Sequence, residues 1–352
     1  QVAFNLFEGL LAPAQTTVDA TSVSDLVRPG VAKSWDVGPD GLVYTFELRK
    51  DARWSDGERV TAEDFVYAWR RVLTPDFNAD YAALFDVIAG AEAYRKGESD
   101  DWDDVGVEAP NATTLRVELA HPAPYFLELV SFYTFYPVPR HVVEKHGDDW
   151  TRARHIVSNG AYTLESFQPQ KALELRANDN YWDSDAVAIQ RAQLRIIADL
   201  RAARNAFEHG DTHLTYVPAQ SAESTKEKTR GRVVTEKLLG VYYLRINVSD
   251  DDSLLADPKF RQALRLAVDR DEIADRAAGG QVPAHHRMVP PNMPGYTPPE
   301  ITEEDLDQAR RLAEEGFKSS PSGDRSFQYL YNTSGQHKRV AEWTQRQWKK
   351  RL

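Results

Sequence analysis

The sequence contains no cysteine among its 352 residues. The chain therefore forms no disulfide and offers neither a thiolate metal ligand nor a cysteine nucleophile, although this does not decide its compartment. No apolar run approaches the ~20 residues that a membrane-spanning helix requires. Basic residues are outnumbered by acidic ones, 43 against 54, which gives a formal net charge of −11. This balance argues against nucleic acid as a partner, because phosphate backbones are bound by basic surfaces.

Signatures of catalytic and metal sites are also missing. The sequence has no HExxH, GxSxG, phosphate-loop or dinucleotide-loop motif in its proper strand–helix context. His285 and His286 are adjacent, but a metal site needs a third ligand at a suitable spacing. Carboxylate pairs are too common in so acidic a chain to nominate a glycosidase acid and base. We therefore expect no enzyme activity, no metal and no cofactor.

The residues that are present describe an ordinary globular protein. Hydrophobic residues make up 41% and charged residues 28% of the chain, whose length suffices for two or three lobes. The chain begins abruptly inside the apolar pattern "QVAFNLFEGLLAP" and ends inside a helical pattern. From this we expect a piece of a longer protein, truncated at both ends.

The stretch "WSDGERVTAEDFVYAWRRVLTP" predicts a turn followed by a short amphipathic helix. Thr61 is a suitable N-cap, and Asp64 three residues later completes an acidic capping box. The helix should end at Thr74, because Pro75 disfavours the helical conformation of its predecessor. Apolar residues at helical spacing form the face to be buried: Phe65, Trp69 and Val72.

The rest of the chain alternates predicted strands and helices, which indicates a mixed α/β fold. Alternation predicts one strand through Tyr44, Phe46 and Leu48 and another through Leu115, Val117 and Leu119. Turn signals predict a hairpin of 158–167 and 171–179, and further strands at 212–218, 232–249 (two, around Gly240) and 325–331. Helical periodicity and caps predict helices at 199–210, 257–267, 303–316 and 337–352. In "GVYYLRIN", alternation assigns one apolar face to Tyr242, Leu244 and Ile246, and the opposite face to Tyr243, Arg245 and Asn247.

Aromatic residues concentrate at predicted strand ends and between predicted lobes: Tyr81, Tyr136, Tyr162, Tyr216, Tyr242 and Tyr243. Aromatic side chains give a binding cleft contact area at low entropic cost. The alternative for each of them is ordinary packing in a core or at its rim.

The run "PGVAKSWDVGPDGLVYTFELRKDARWSDGERVTAEDFVYAWRRVLTP" resembles the extracytoplasmic oligopeptide-binding proteins of ABC importers. So do "LFEGLL", "SNGAYTLESF", "NDNYWD", "VYYLRIN", "DPKFRQALRLAVDRDEI" and "YLYNTSGQHKRVAEWTQRQWKK", in the same order and over nearly the whole chain. The resemblance implies a type II periplasmic-binding fold with mixed sheets, two main lobes and an extra lobe. We expect the first lobe at 1–7 and 140–240, the extra lobe at 8–139 and an incomplete third lobe at 241–352.

The family's function is implied with its fold. The resemblance suggests a monomeric, non-enzymatic receptor that closes two lobes around an oligopeptide and delivers it to a membrane-embedded ABC permease. It also suggests a periplasmic or other extracytoplasmic location, with a lipid anchor as one option. Two alternatives stay open: a receptor of the same fold for a nickel complex or a sugar, and an acidic glycosidase.

Six ligand-binding residues are expected, mainly from the resemblance: Tyr81, Tyr216, Val217, Tyr243, Arg245 and Asn247. Tyr81 lies where peptide-binding relatives send a tyrosine from the extra lobe toward the ligand, although it could instead pack within its own lobe. Relatives carry an acidic residue at the position of Arg245, so we expect its pocket to prefer acidic or neutral ligand side chains. The alternative is that Arg245 only pairs with a neighbouring acid. Family members with a disulfide place a cysteine at the position of Gly240, so that bridge is absent.

Overall fold

The computed structural model describes residues 2–14, 26–217, 221–229, 233–234, 240–251, 253–280, 282–290, 293, 296–297, 299, 305–319 and 326–352. The chain divides into two compact units, Gln1–Ile196 and Ile197–Leu352. None of the described helices is long and apolar enough to cross a membrane. The predicted lobe boundaries near residues 7, 139 and 240 stay predictions.

The strands described in the first unit form three sheets, in which every strand pair is antiparallel. They are β1 (Leu11–Pro13), β2 (Val27–Pro29), β3 (Ala32–Val37), β4 (Val43–Leu48), β5 (Val107–Asn111), β6 (Thr114–Glu118), β7 (Tyr162–Gln168), β8 (Ala172–Ala177) and β9 (Arg191–Arg195). β1 pairs with β2, the next four strands are ordered β3-β4-β6-β5, and the last three follow chain order. The predicted strands that carry Tyr44 and Leu115 are thus confirmed, as is the hairpin of 158–167 and 171–179.

The helices of the first unit are α1 (Ala3–Leu6), α2 (Ala62–Leu73), α3 (Ala91–Lys96), α4 (Phe126–Leu129) and α5 (Arg140–His146). Helix α2 confirms the predicted capping box. The Asp64 carboxylate accepts the backbone N–H of Thr61 at 2.8 Å and its hydroxyl at 3.0 Å. At the other end, Thr74 is extended and Pro75 begins a new 3-10 turn. The helix therefore starts and stops where its local sequence directs.

The first unit's core lies between α2 and the four-stranded sheet. Alternation along β4 buries Tyr44, Phe46 and Leu48. Trp69 of α2 is fully buried, and its indole N–H donates to the backbone carbonyl of Phe135 at 2.9 Å. Because this bond satisfies the only polar atom of the side chain, the large ring is buried without an unpaired donor.

The regular secondary structure described in the second unit consists of helices joined by irregular segments. Its helices are α6 (Leu200–Glu208), α7 (Ala222–Lys228), α8 (Pro258–Leu266), α9 (Arg270–Arg276), α10 (Leu306–Ser319) and α11 (Gly335–Arg351). The Asp257 carboxylate caps α8 by accepting the N–H of Lys259 at 2.8 Å. Phe260 and Leu264 are buried, and the indole N–H of Trp348 in α11 donates to the Leu264 carbonyl at 3.0 Å. The predicted helices here are confirmed, although α10 begins and ends about a turn later than expected.

The predictions of three strands in the second unit were wrong. Residues 212–217, 240–250 and 326–331 contain no strand, while part of the region predicted at 232–249 lies outside the described residues. Leu214 is 89% exposed and Tyr216 69% exposed, so the expected buried strand is absent. Alternation identifies residues that suit a strand, but a strand also needs a neighbour that pairs with its backbone and a layer that covers one face.

Candidate functional site

The six residues predicted from the sequence form two groups, one in each unit. Tyr81 lies in the first unit, and the second contains Tyr216, Val217, Tyr243, Arg245 and Asn247.

Tyr81 is held in a defined orientation while remaining open to solvent. Its φ of 64° lies in the left-handed region, immediately before the 3-10 turn Ala82–Val87. The residue is 55% exposed. Its ring nevertheless meets Phe132 and Tyr133 edge-on, with centroid distances of 5.4 and 6.2 Å. A side chain already held by its neighbours loses little further freedom when a ligand covers it.

The neighbours of Tyr81 extend into what we term the aromatic surface, formed by Phe4, Tyr81, Phe132, Tyr133 and Tyr136. The ring of Tyr133, which meets Tyr81 edge-on, also lies edge-on to Phe4 at 5.8 Å. Phe4 in turn contacts Tyr136 at 6.2 Å. Phe4 and Tyr133 are exposed, so the surface offers apolar contact area to a partner.

The sequence predicts only part of this surface. Tyr81 and Tyr136 are among the predicted residues, whereas Phe4, Phe132 and Tyr133 are not. The dense aromatic run "SFYTFYP" was an available signal for two of the three. Phe4 had none, because only the tertiary structure brings α1 beside that run.

Phe4 and Tyr136 also line a pocket of about 440 Å³ in the first unit, which we term the Glu8 pocket. Its volume falls within the range of about 300–1,000 Å³ typical of small-molecule sites. Its other lining residues are Phe7, Glu8, Ala12, Pro13, Arg28, Gly160, Ala161 and Tyr181. The pocket therefore combines aromatic walls with one acid and one base.

Glu8 is a buried carboxylate whose two oxygens are both hydrogen-bonded. The Tyr181 hydroxyl donates to Oε1 at 2.7 Å, and the Trp182 indole N–H donates to Oε2 at 2.6 Å. Burial raises the pKa of the Glu8 carboxyl above its ordinary value, although these two bonds and the positive charges of Arg28 and Arg49 oppose the rise.

The backbone around Glu8 is tied to the sequence motif "SNGAY". The Glu8 N–H donates to Asn159 Oδ1 at 3.1 Å, and Asn159 Nδ2 donates to the Glu8 carbonyl at 2.9 Å. Gly160 is required beside it, because a Cβ there would lie 2.8 Å from the carbonyl carbon of Leu6. These contacts hold the segment that carries Phe4 and Glu8 against the rest of the unit.

In the second unit, the predicted faces of residues 240–247 do not form. Tyr242 is 52% exposed and Leu244 37% exposed, so the expected apolar core face is absent. Arg245 is exposed. The Asn247 side chain caps a local turn by accepting the N–H of Ser249 at 3.1 Å and its hydroxyl at 2.8 Å.

The predicted pair Tyr216 and Val217 also lacks its strand. Tyr216 is mostly exposed and Val217 is half-buried. The assignment of these two residues and of the 243–247 group to a ligand site stays a prediction.

The side chains of the aromatic surface and the Glu8 pocket are arranged in a way that suits ligand binding through direct contacts. Across the described ranges, no three histidine, aspartate or glutamate side chains come close enough to hold a metal ion. Nε2 of His285 is hydrogen-bonded to the backbone carbonyl of Val289 at 2.7 Å. The first unit instead presents a fixed aromatic surface that adjoins a pocket.

Comparison with known proteins identifies this architecture. Residues 27–352 match the family described as "Bacterial extracellular solute-binding proteins, family 5 Middle". The periplasmic oligopeptide-binding protein OppA of Escherichia coli K12 is 35% identical over 374 residues, covering 100% of this chain and 64% of OppA. The chain thus spans less than two thirds of that relative's length.

Two solved structures share the fold. The E. coli murein tripeptide binding protein MppA aligns with a TM-score of 0.90 at 30% identity, covering 100% of this chain and 68% of MppA. Haemophilus influenzae OppA in complex with RPPGFSPFR aligns with a TM-score of 0.88 at 30% identity, covering 99% and 68% of the two chains. These likenesses confirm the α/β fold class of periplasmic binding proteins. The chain therefore belongs to family 5 of the bacterial extracellular solute-binding proteins.

Proposed function

We propose that this chain is part of an extracytoplasmic receptor that binds oligopeptides and delivers them to an ABC permease. The observation that carries the proposal is the aromatic surface around Tyr81, which is exposed and already ordered. Further support comes from the relatives, since E. coli OppA is named for oligopeptide binding and H. influenzae OppA was solved with a peptide. The receptor is a monomeric binding protein, and it works in the periplasm or elsewhere outside the cytoplasmic membrane.

In the proposed mechanism, an extended peptide lies against the aromatic surface. Its backbone supplies hydrogen bonds in the manner of an added strand, which tolerates varied side chains. The aromatic rings supply apolar contact at low entropic cost, because Tyr81 is fixed before binding. Closure of the lobes then shifts the population toward the state that the peptide contacts favour. Tyr216, Val217, Tyr243, Arg245 and Asn247 are the proposed contacts from the second unit.

The test is calorimetric titration of the full-length protein with a set of tripeptides and pentapeptides, together with mass spectrometry of the ligand before and after incubation. We expect binding and unchanged peptide masses. Binding of a nickel complex or a sugar, with no peptide binding, would replace the proposed ligand class. The appearance of cleaved products would contradict a purely binding role.

A further inference from the structure

The Glu8 pocket has walls suited to a bulky apolar group. Phe4, Phe7, Tyr136 and Tyr181 supply four aromatic rings. Aromatic rings bind an apolar group because the contact removes apolar surface of both the rings and the group from water. Through Phe4 and Tyr136 the pocket is continuous with the aromatic surface, so a ligand lying on that surface can extend a side chain into the pocket.

The charged side chains at the pocket differ in how far they can bind a ligand. Glu8 is 7% exposed, and each of its oxygens already accepts a hydrogen bond from Tyr181 or Trp182. Arg49 stacks over the Trp182 ring at 3.6 Å, and its Nε donates to the Gly30 carbonyl at 2.8 Å. Glu8 and Arg49 are thus engaged in interactions that hold the first unit together.

Arg28 is the charged residue that is available to a ligand. It lies in β2, where Val27 is buried and Arg28 is exposed. Its positive charge acts on the Glu8 carboxyl, but among the described residues none forms a hydrogen bond or a close ion pair with its guanidinium. A guanidinium presents a planar set of N–H donors that matches a carboxylate.

The local charges favour an anion over a cation. Glu8 contributes one negative charge, whereas Arg28 and Arg49 contribute two positive ones. A ligand ammonium would be repelled by Arg28 and would find the Glu8 oxygens already occupied. A ligand carboxylate would find at the pocket lining the Arg28 guanidinium, which forms no ion pair with a side chain of the described ranges.

We propose that the Glu8 pocket binds a carboxylate carried on a bulky apolar group, with Arg28 as the partner of the carboxylate. The inference rests on the proposed function, in which that group is the carboxyl-terminal residue of a bound peptide. A free apolar carboxylic acid presents the same chemistry and is the second source that the experiment separates.

The experiment measures affinities of the full-length protein by calorimetry for Ala-Ala-Phe, its carboxyl-terminal amide, Ala-Ala-Ala and N-acetyl-phenylalanine. We expect the wild-type protein to prefer the free acid of Ala-Ala-Phe over its amide. Arg28→Gln should weaken binding of the acid about fivefold, since an exposed ion pair contributes up to about 1 kcal/mol, and should remove the preference. The control, Arg59→Gln, changes the same charge at an exposed position outside the pocket and should keep the preference.

A second variant tests the apolar part of the pocket. Ala161 is a lining residue, so Ala161→Leu should fill space and reduce the preference for Ala-Ala-Phe over Ala-Ala-Ala. Circular dichroism checks that the variant is folded. If it does not fold, the acid–amide comparison with Arg28→Gln still decides the proposal.

The outcomes separate this proposal from the proposed function. Peptide binding with an acid–amide ratio unaffected by Arg28→Gln would overturn the pocket assignment and leave the peptide receptor intact. Arg28-dependent binding of N-acetyl-phenylalanine without any peptide binding would support the pocket and overturn the peptide receptor.

Discussion

Truncation of the Glu8 side chain should destabilise the first unit strongly. Glu8→Ala leaves the Tyr181 hydroxyl and the Trp182 indole N–H without their acceptor. A buried donor that loses its partner costs about 1–3 kcal/mol. Both rings are only partly buried. We therefore expect the free energy of unfolding to fall by about 2–4 kcal/mol, the lower part of the range for two such donors.

Glu8→Gln separates hydrogen bonding from charge. The amide oxygen can still accept from Trp182, and the substitution removes the charge whose burial raises the pKa of Glu8. A raised carboxyl pKa means that the folded state holds the proton more tightly than the unfolded chain. The stabilising contribution of Glu8 is therefore greatest below the ordinary value of 4.5 and declines as the pH rises through the folded-state pKa. The stability of Glu8→Gln relative to wild type should consequently increase between pH 4 and pH 7.

Urea denaturation of the full-length protein, followed by tryptophan fluorescence, measures these differences. Hydrogen exchange read by mass spectrometry assigns them to the segments around residues 4–10 and 158–182. Glu58→Gln is the matched control, because Glu58 is exposed and should change stability by less than about 0.5 kcal/mol. A stability difference between Glu8→Gln and wild type that falls as the pH rises would refute the reasoning, since the carboxylate would then be stabilised by its charge.

Three further predictions concern ligand binding and the core. Tyr81→Phe should lower peptide affinity about fivefold in calorimetry if the hydroxyl bonds the ligand; unchanged affinity would leave Tyr81 with only its ring contacts to Phe132 and Tyr133. Trp69→Ala should cost about 3–5 kcal/mol in urea denaturation, because it opens a cavity and frees the Phe135 carbonyl; a loss below 1 kcal/mol would contradict this packing. In a peptide series that varies one side chain among Glu, Gln and Lys, wild type should favour Glu or Gln and Arg245→Glu should favour Lys; an unchanged order would make Arg245 a structural residue.

The sequence alone determined the local elements of the first unit and the family. Helix α2 depends on Thr61, Asp64 and Pro75, which act within a few residues of themselves. The alternation in β4 was equally readable, because one face of that strand packs on its own unit's core. The resemblance of several motifs in a fixed order identified the family, because motifs spread along the chain reflect the whole fold rather than one local element.

Only the tertiary structure decided which residues share a surface. Phe4 and Tyr133 are far apart in the chain, and their contact depends on the bonds between Glu8 and Asn159 that hold the N-terminal segment in place. The same long-range dependence explains the failure in the second unit. Residues 240–247 have strand-forming side chains, but backbone pairing requires a second segment beside them, and a local pattern carries no information about that neighbour.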